Sequence, residues 1–241
     1  MIKGLVKKIF NKAGFEVTPM HDWSTSLTMA GALGRCAKRG TRFESVVDVG
    51  ASNGSWTLQC MKHYPNAKYL LVEAQEPHKA SLEKFCAGHA NAQFVIAAAG
   101  NSEGKIYFDA TDLFGGLASE TPLDGPSIEV PVITIDKELS RRNLKGPYAI
   151  KLDTHGFEVP ILQGASNALK NASLVIIETY NFRLTSTSLR YFEMCAYMKE
   201  LGFLPIETVD IMRRDRDGAL WQMDTFFIPA TSEEFKANTF E

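Results

Sequence analysis

The sequence predicts an α/β fold: a doubly wound, mostly parallel seven-stranded sheet with helices on both faces and an antiparallel final hairpin. Three observations carry this. From Ser45 onward, short β-prone runs alternate with stretches whose apolar residues recur at helical spacing, the pattern of a parallel sheet with crossover helices. The last two runs are only about 13 residues apart, and the connection ends in Asp217-Gly218, which suits a hairpin turn and is too short for another crossover. The 241 residues are 45% hydrophobic and 22% charged, with a formal net charge of -2, so the chain can bury a sizeable core. Near-neutrality argues against a polybasic nucleic-acid surface and against an acidic tail, and no nucleic-acid partner is expected.

The elements follow in order. Residues 1–42 form a helical extension. Ile2, Leu5, Val6, Ile9 and Phe10 line one helical stripe, with Lys3, Lys7, Lys8 and Lys12 elsewhere. The domain is expected to cover that stripe; the alternative is peripheral contact of residues 2–12 with the inner membrane surface. A second helix is expected from about Ser24 to Lys38, closed by Gly40. Residues 43–241 then form the sheet domain. Its strands are Ser45–Val49, Lys68–Glu73, Ala92–Ala97, Tyr148–Asp153, Leu174–Thr179, Leu204–Val209 and Met223–Ile228. Crossover helices are expected over Ser55–His63, Pro77–Gly88, Val159–Leu169 and Ser188–Leu201. Between the third and fourth strands, about 104–133, two short β-prone runs flank a Gly/Pro-containing stretch that reads as an inserted flap, either a binding loop or surface irregularity. Cys36, Cys60, Cys86 and Cys195 show no CxxC spacing and read as reduced thiols of a cytoplasmic protein. The apolar runs fall far short of the roughly 20 residues that span a bilayer.

The segment Val46-Val47-Asp48-Val49-Gly50-Ala51-Ser52-Asn53-Gly54-Ser55-Trp56 runs from a buried strand through a small-residue turn into a helix. Gly50 and Gly54 remove side chains at the turn, and the helix start offers unpaired N–H groups. Dinucleotide-binding loops have GxGxxG; Ser52 makes this one GxxxG, a departure from the pyrophosphate fingerprint. Glu73, 23 residues after Gly50, ends the next strand, where a carboxylate can accept both hydroxyls of an unphosphorylated ribose. Together they describe a nucleoside-type cofactor over the carboxyl ends of the strands. The bland alternative is a tight turn and a solvated Glu.

VVDVGASNGSW, the strand end LLVEA, the block Ile150-Lys151-Leu152-Asp153-Thr154-His155-Gly156-Phe157-Glu158 followed by ILQGA, and then VIIETY and QMDTFFI together resemble the FkbM-type S-adenosylmethionine-dependent methyltransferases. The likeness covers about Ser45 to Pro229, and the KxDxxGxE block is its most specific part. It implies a Rossmann-like class I methyltransferase fold with a reversed last strand, and O-methylation, often of sugars, glycans or polyketide-like products. It also implies that Asp48, Gly50, Ala51, Asn53 and Gly54 shape the cofactor pocket, that Glu73 binds the ribose, that Ala97 or Ala98 lies near the adenine, and that Asp153 borders the cofactor. His155 stands where the family commonly has an acid.

Methyl transfer from a sulfonium is an in-line displacement that needs alignment and, for an alcohol acceptor, a proton acceptor. Asp153 and Glu178 end adjacent strands and can converge on the methyl side; with His155, whose ordinary pKa is about 6.5, they are the catalytic candidates. The alternative is that Asp153 caps the helix beginning near Gly156 and that His155 is bonded to backbone. A divalent metal is not expected, although Asp153, His155 and Glu178 are the residues that could hold one with water completing the shell. Glu158 reads as a first-turn acid of that helix. Arg213, Arg214 and Arg216, interspersed with Asp215 and Asp217, read as a solvated hairpin tip; Trp221 reads equally as a sugar-stacking or a packed residue, and Tyr180 and Asn181 fall where an acceptor would touch.

The leading expectation is an S-adenosylmethionine-dependent O-methyltransferase acting on a hydroxyl of a carbohydrate, glycan or related metabolite. The alternatives are an NAD-type Rossmann oxidoreductase, weakened by Ser52 and by the lack of a TyrxxxLys pair, and a catalytically silent cofactor-binding module.

Overall fold

A computed structural model describes Phe10, Lys12, Ala13 and residues 26–109, 111–113, 115–119, 121–122 and 125–240. The amphipathic stripe at residues 2–9 and the start of the expected second helix at Ser24 lie outside the described residues. The helix itself, α1 (Met29–Arg39), begins where the Thr28 hydroxyl accepts the N–H of Gly31, and ends where Gly40 takes a left-handed φ of 87°.

Seven strands form the main sheet: β1 (Ser45–Val49), β2 (Lys68–Glu73), β3 (Ala92–Ile96), β8 (Tyr148–Leu152), β9 (Ala172–Tyr180), β10 (Phe203–Arg213) and β11 (Leu220–Pro229). Their order is β10-β11-β9-β8-β1-β2-β3, and β11 runs antiparallel to both β9 and β10 while the other pairings are parallel. The predicted fold class is therefore present, final hairpin included. Every residue of β1 is buried, as a central parallel strand covered on both faces requires. Val46 and Ile176 face one layer, where Leu33 and Cys36 of α1, Trp56 of α2 (Ser55–Met61) and Leu82 of α3 (Lys79–Gly88) pack. Val47, Ile150 and Ile177 face the other, against Leu139 of α4 (Ile135–Arg141), Ile161 of α5 (Glu158–Gln163), Leu169 of α6 (Ser166–Leu169) and Met194 of α7 (Tyr191–Glu200).

Four local expectations change. The flap is a second sheet of four strands, in which β4 (Ala98–Ala99), β7 (Ile128–Ile133), β5 (Gly104–Phe108) and β6 (Ala118–Ser119) lie in the order β4-β7-β5-β6 around Ala98, Ile106, Val130 and Val132. The helix α4, unpredicted, is capped by the Thr134 hydroxyl and carries Asp136 and Glu138 in its first turn. The single helix expected over Val159–Leu169 is two, α5 and α6, divided at Gly164, where a Cβ would lie 1.9 Å from the carbonyl oxygen of Gly100. The helix expected from Ser188 begins at Tyr191, because the Ser188 hydroxyl is engaged in a preceding turn, accepting the N–H groups of Leu184 and Thr185. Among the described residues no helix is long and apolar enough to cross a membrane.

Candidate active site

The carboxyl ends of β1, β2, β8 and β9 open on a cavity of about 490 Å³, in the range of small-molecule sites. Gly50, Ala51, Asn53, Glu73, Ala97, Ala98 and Asp153 line it together with His155 and Glu178, so most of the predicted residues share one space. Asp48 and Gly54 do not reach the wall. Asp48 is 1% exposed, on the α1/α2 side of the sheet, and accepts the Thr57 hydroxyl at 2.6 Å; a Cβ on Gly54 would meet the Phe85 ring. Their contribution is to hold the turn from behind.

At the first end of the cavity the main chain does the building. Gly50 has φ of 78°, and a Cβ there would sit 2.0 Å from the carbonyl oxygen of Asp153, so only glycine lets the β1 turn close against the end of β8. Glu73 is not a solvated acid. It is 6% exposed, its Oε2 accepts the N–H of Ser52 at 2.7 Å, and its Oε1 accepts the N–H of Gln75 at 2.9 Å. Each oxygen keeps further acceptor capacity, and the carboxylate thereby ties the glycine turn to the wall it lines. Gln75 continues that wall: its amide donates to the carbonyl oxygens of Asp112 and Leu113, and Leu113, Phe108 and Ala118 bring the second sheet over the same cavity. The inserted segment is thus a wall of the site.

At the other end, side chains do the building. Asp153 follows β8, and its Oδ2 accepts Lys151 Nζ at 2.6 Å. It does not cap the next helix, which starts at Glu158; the loop is instead held by the buried Glu158 carboxylate, which accepts the Gly156 N–H at 2.7 Å. His155 stands at φ 49°, left-handed for a residue with a Cβ, and brings Nε2 to 3.4 Å from Glu178 Oε2 and 3.7 Å from Asp153 Oδ1. Glu178 accepts the Tyr180 hydroxyl at Oε2 and the Gln222 amide at Oε1, the latter at 2.6 Å. Trp221, one residue before Gln222, stacks against Phe182 and meets the edge of Tyr180, so it is packed among aromatic neighbours.

The charges of this end separate. Burial, reinforced by Asp153 beside it, pushes the Glu178 carboxyl up to about 8, whereas Asp153, despite burial, is held below the usual carboxylate range by Lys151. Burial and the neighbouring charges thus push the two carboxyls in opposite directions, Glu178 toward its protonated form and Asp153 toward its ionised form. Burial also raises Asp224, across from Glu178 on β11, to about 6. Ligand atoms of Asp153, His155 and Glu178 lie within 4.8 Å of one another, the spacing of a metal-binding group. Three of the four carboxylate oxygens already accept protein donors, so the donor set fits an acid–base group better than a metal site. Sequence reasoning missed Lys151, Gln75, Trp56 and Gln222, all in the wall; the signal for Lys151 was present as the first letter of KxDxxGxE.

A seven-stranded sheet with a reversed β11, carrying a glycine turn and a strand-end acid on one cavity, defines a Rossmann-like methyltransferase domain. The family model described as the methyltransferase FkbM domain matches residues 48–205, and the chain belongs to that family. It is an S-adenosylmethionine-dependent methyltransferase. No curated protein matches the chain. Similar solved structures include precorrin-6y C5,15-methyltransferase from Geobacter metallireducens, at 9% identity over 82% of this chain and 86% of that one, TM-score 0.45. Another is 1,6-didemethyltoxoflavin-N1-methyltransferase from Burkholderia thailandensis with bound 1,6-didemethyltoxoflavin and S-adenosylhomocysteine, at 11% identity, covering 95% and 87%, TM-score 0.45. A third is a SAM-dependent methyltransferase from Agrobacterium tumefaciens, at 11% identity, covering 83% and 60%, TM-score 0.47.

Proposed function

We propose that this methyltransferase methylates a hydroxyl of a small-molecule acceptor, a carbohydrate or related metabolite, at the end of the cavity bounded by Asp153, His155 and Glu178. The observation that carries the reading is the geometry of Asp153, a carboxylate paired with Lys151 and facing the cavity beside Glu178, with the His155 imidazole between the two acids. A hydroxyl is a weak nucleophile that must shed its proton as oxygen bonds to carbon, and a positioned base helps by about 10²–10⁴-fold. An amine acceptor, once deprotonated by solvent, would have no such need.

The residues present fit the cofactor. Glu73 would accept the ribose hydroxyls with its remaining lone pairs, the Gly50–Asn53 turn would border the amino-acid portion, and Ala97 and Ala98, which carry no bulk, would flank the adenine. When bound, S-adenosylmethionine supplies an electrophilic methyl group on a sulfonium. Asp153 then receives the acceptor's proton, His155 orients the hydroxyl or relays that proton, and Glu178, held by Tyr180 and Gln222, keeps its own. Aligning the acceptor removes much of the entropic barrier. GxxxG in place of GxGxxG, and the family match, leave no role for a nicotinamide.

The test is methyl transfer from labelled S-adenosylmethionine to a panel of saccharide, polyol and amine acceptors, with S-adenosylhomocysteine binding measured in parallel. Turnover with a hydroxyl acceptor is expected. Tight S-adenosylhomocysteine binding with transfer to amines alone would overturn the O-methylation reading, and tight binding without transfer to any acceptor would favour a silent module.

A further inference from the structure

Lys151 lies inside β8 and in the wall of the cavity. A lysine in the middle of a covered parallel sheet is costly to bury, yet it is 3% exposed and stays charged, with Asp153 and Asp48 holding its ammonium protonated well above the ordinary lysine range. Its Cα is the register partner of Asp48 on β1, and its ammonium pairs with Asp153 two residues on, so acids of adjacent strands flank the lysine's place in the sheet. The Trp56 ring closes over it, with Nζ 5.8 Å from the ring centroid.

The two members of the pair are differently exposed. The Lys151 side chain is 4% exposed and that of Asp153 is 34%, at a separation of 2.6 Å. A pair serving only to hold the sheet together has no reason to present one partner to a cavity. Here the cation is anchored behind the wall, takes one oxygen of Asp153, and leaves the other directed to the side where His155 stands. Three further acids crowd the same end: Glu178 and Asp224 on β9 and β11, and Asp48 on β1, whose Oδ1 has no partner. Of the groups crowding this end, Lys151 is the permanent cation; without it Asp153 would stand among carboxylates in a poorly solvated place and would take up a proton.

We propose that Lys151 is a positioning residue that keeps Asp153 as a charged carboxylate, aimed into the cavity as the proton acceptor for the methyl-accepting group. This deepens the reading under Proposed function and rests on it only for the name of the reaction. In the step it serves, the acceptor oxygen forms a bond to the methyl carbon and the carbon–sulfur bond breaks with its electron pair left on sulfur. The acceptor's proton goes to Asp153, whose neutral carboxyl then remains beside the Lys151 ammonium.

The test has two readouts. The first is the infrared spectrum of the purified full-length enzyme, ¹³C-labelled at its aspartate side chains and without cofactor, at neutral pH. The Asp153→Asn difference spectrum identifies the residue's band, expected as an ionised carboxylate in the native enzyme and as a protonated carbonyl in Lys151→Met. The second is kinetics: Lys151→Met is expected to lower kcat about 100-fold, the size of a base-catalysis contribution, with S-adenosylhomocysteine affinity unchanged within about twofold. Lys151→Arg, which keeps the charge, is expected to keep the ionised band and recover part of kcat. Should Lys151→Met fail to fold, the native and Lys151→Arg spectra still decide. A protonated Asp153 in the native enzyme, an ionised Asp153 in Lys151→Met, or a loss of S-adenosylhomocysteine binding equal to the loss of kcat each overturns the proposal. An enzyme that gives the expected spectra but transfers no methyl to hydroxyls leaves the charge arrangement standing and removes the O-methylation reading.

Discussion

The two ends of the cavity are made of different material. At the proposed cofactor end, the polar atoms are backbone N–H groups and a single carboxylate, Glu73, which accepts from Ser52 and Gln75. At the proposed acceptor end, five side chains from β8, β9, β11 and the intervening loop hold one another, and the carboxyls of Asp153 and Glu178 are pushed in opposite directions. The first end is geometry and changes little with conditions. The second is a balance of electrostatic terms in a buried place, where removing one member alters the others. Substitutions at the two ends should therefore fail in different measurements.

The largest effect is expected at the acceptor end. Asp153→Asn preserves shape and removes the negative charge, and it should reduce kcat by about 10²–10⁴-fold while S-adenosylhomocysteine affinity in calorimetry stays within a few-fold. A variant that loses binding and turnover together would place Asp153 with the cofactor and erase the contrast. Next in size is Glu73→Ala, which removes the expected ribose acceptor and also frees the N–H groups of Ser52 and Gln75. Hydrogen bonds to a charged group are worth about 1.5–3 kcal/mol each, so S-adenosylhomocysteine affinity should fall at least about tenfold, with the acceptor KM little changed at saturating cofactor. Unaltered affinity would remove Glu73 from the pocket.

The same contrast explains what could be read from the sequence. Gly50 and Glu73 were legible because the cofactor end depends on backbone conformation, and the residue types that permit it, a glycine at positive φ and an acid at a strand end, are rare enough to stand out. Lys151 was legible only as the first letter of KxDxxGxE; its burial was not, because a lysine inside a strand looks like any solvated lysine until the register sets it beside Asp48. Glu178 was read as a strand-end acid, but the upward push on its carboxyl was not foreseen, since that depends on burial and on Asp153 across the strand gap. The second sheet was read in part: its strands β5 and β7 coincide with the two short β-prone runs, but the pairing of Ala98–Ala99 with Val132–Ile133 joins positions far apart in sequence, and two alanines announce no strand. The helix over Ile135–Arg141 was legible and missed; Thr134 followed by Ile135-Asp136-Lys137-Glu138 is a cap with acids in the first turn.

The smallest predicted effect is on stability, and it separates the ends most cleanly because it needs no ligand. Glu178 has its pKa raised from 4.5 to about 8, so folding favours its protonated form. A group raised in the folded state contributes stability in full below its unfolded value and loses it as pH climbs through the folded one. Asp224, raised from 3.8 to about 6, has the same sign over a lower window, and Asp153, lowered, has the opposite sign and acts only in acid. Between pH 6 and 8, then, Glu178 should dominate this group's contribution, and the native protein should lose stability as pH rises across that interval. Glu178→Gln keeps an amide that can donate to Asp153 and has no proton to lose, so its urea midpoint should be flatter from pH 6 to 8. Glu73→Ala, at the other end, should leave the native slope in place. Parallel curves for the native protein and Glu178→Gln would mean that the two carboxyls do not share a proton, and the charge division at the acceptor end would have to be abandoned.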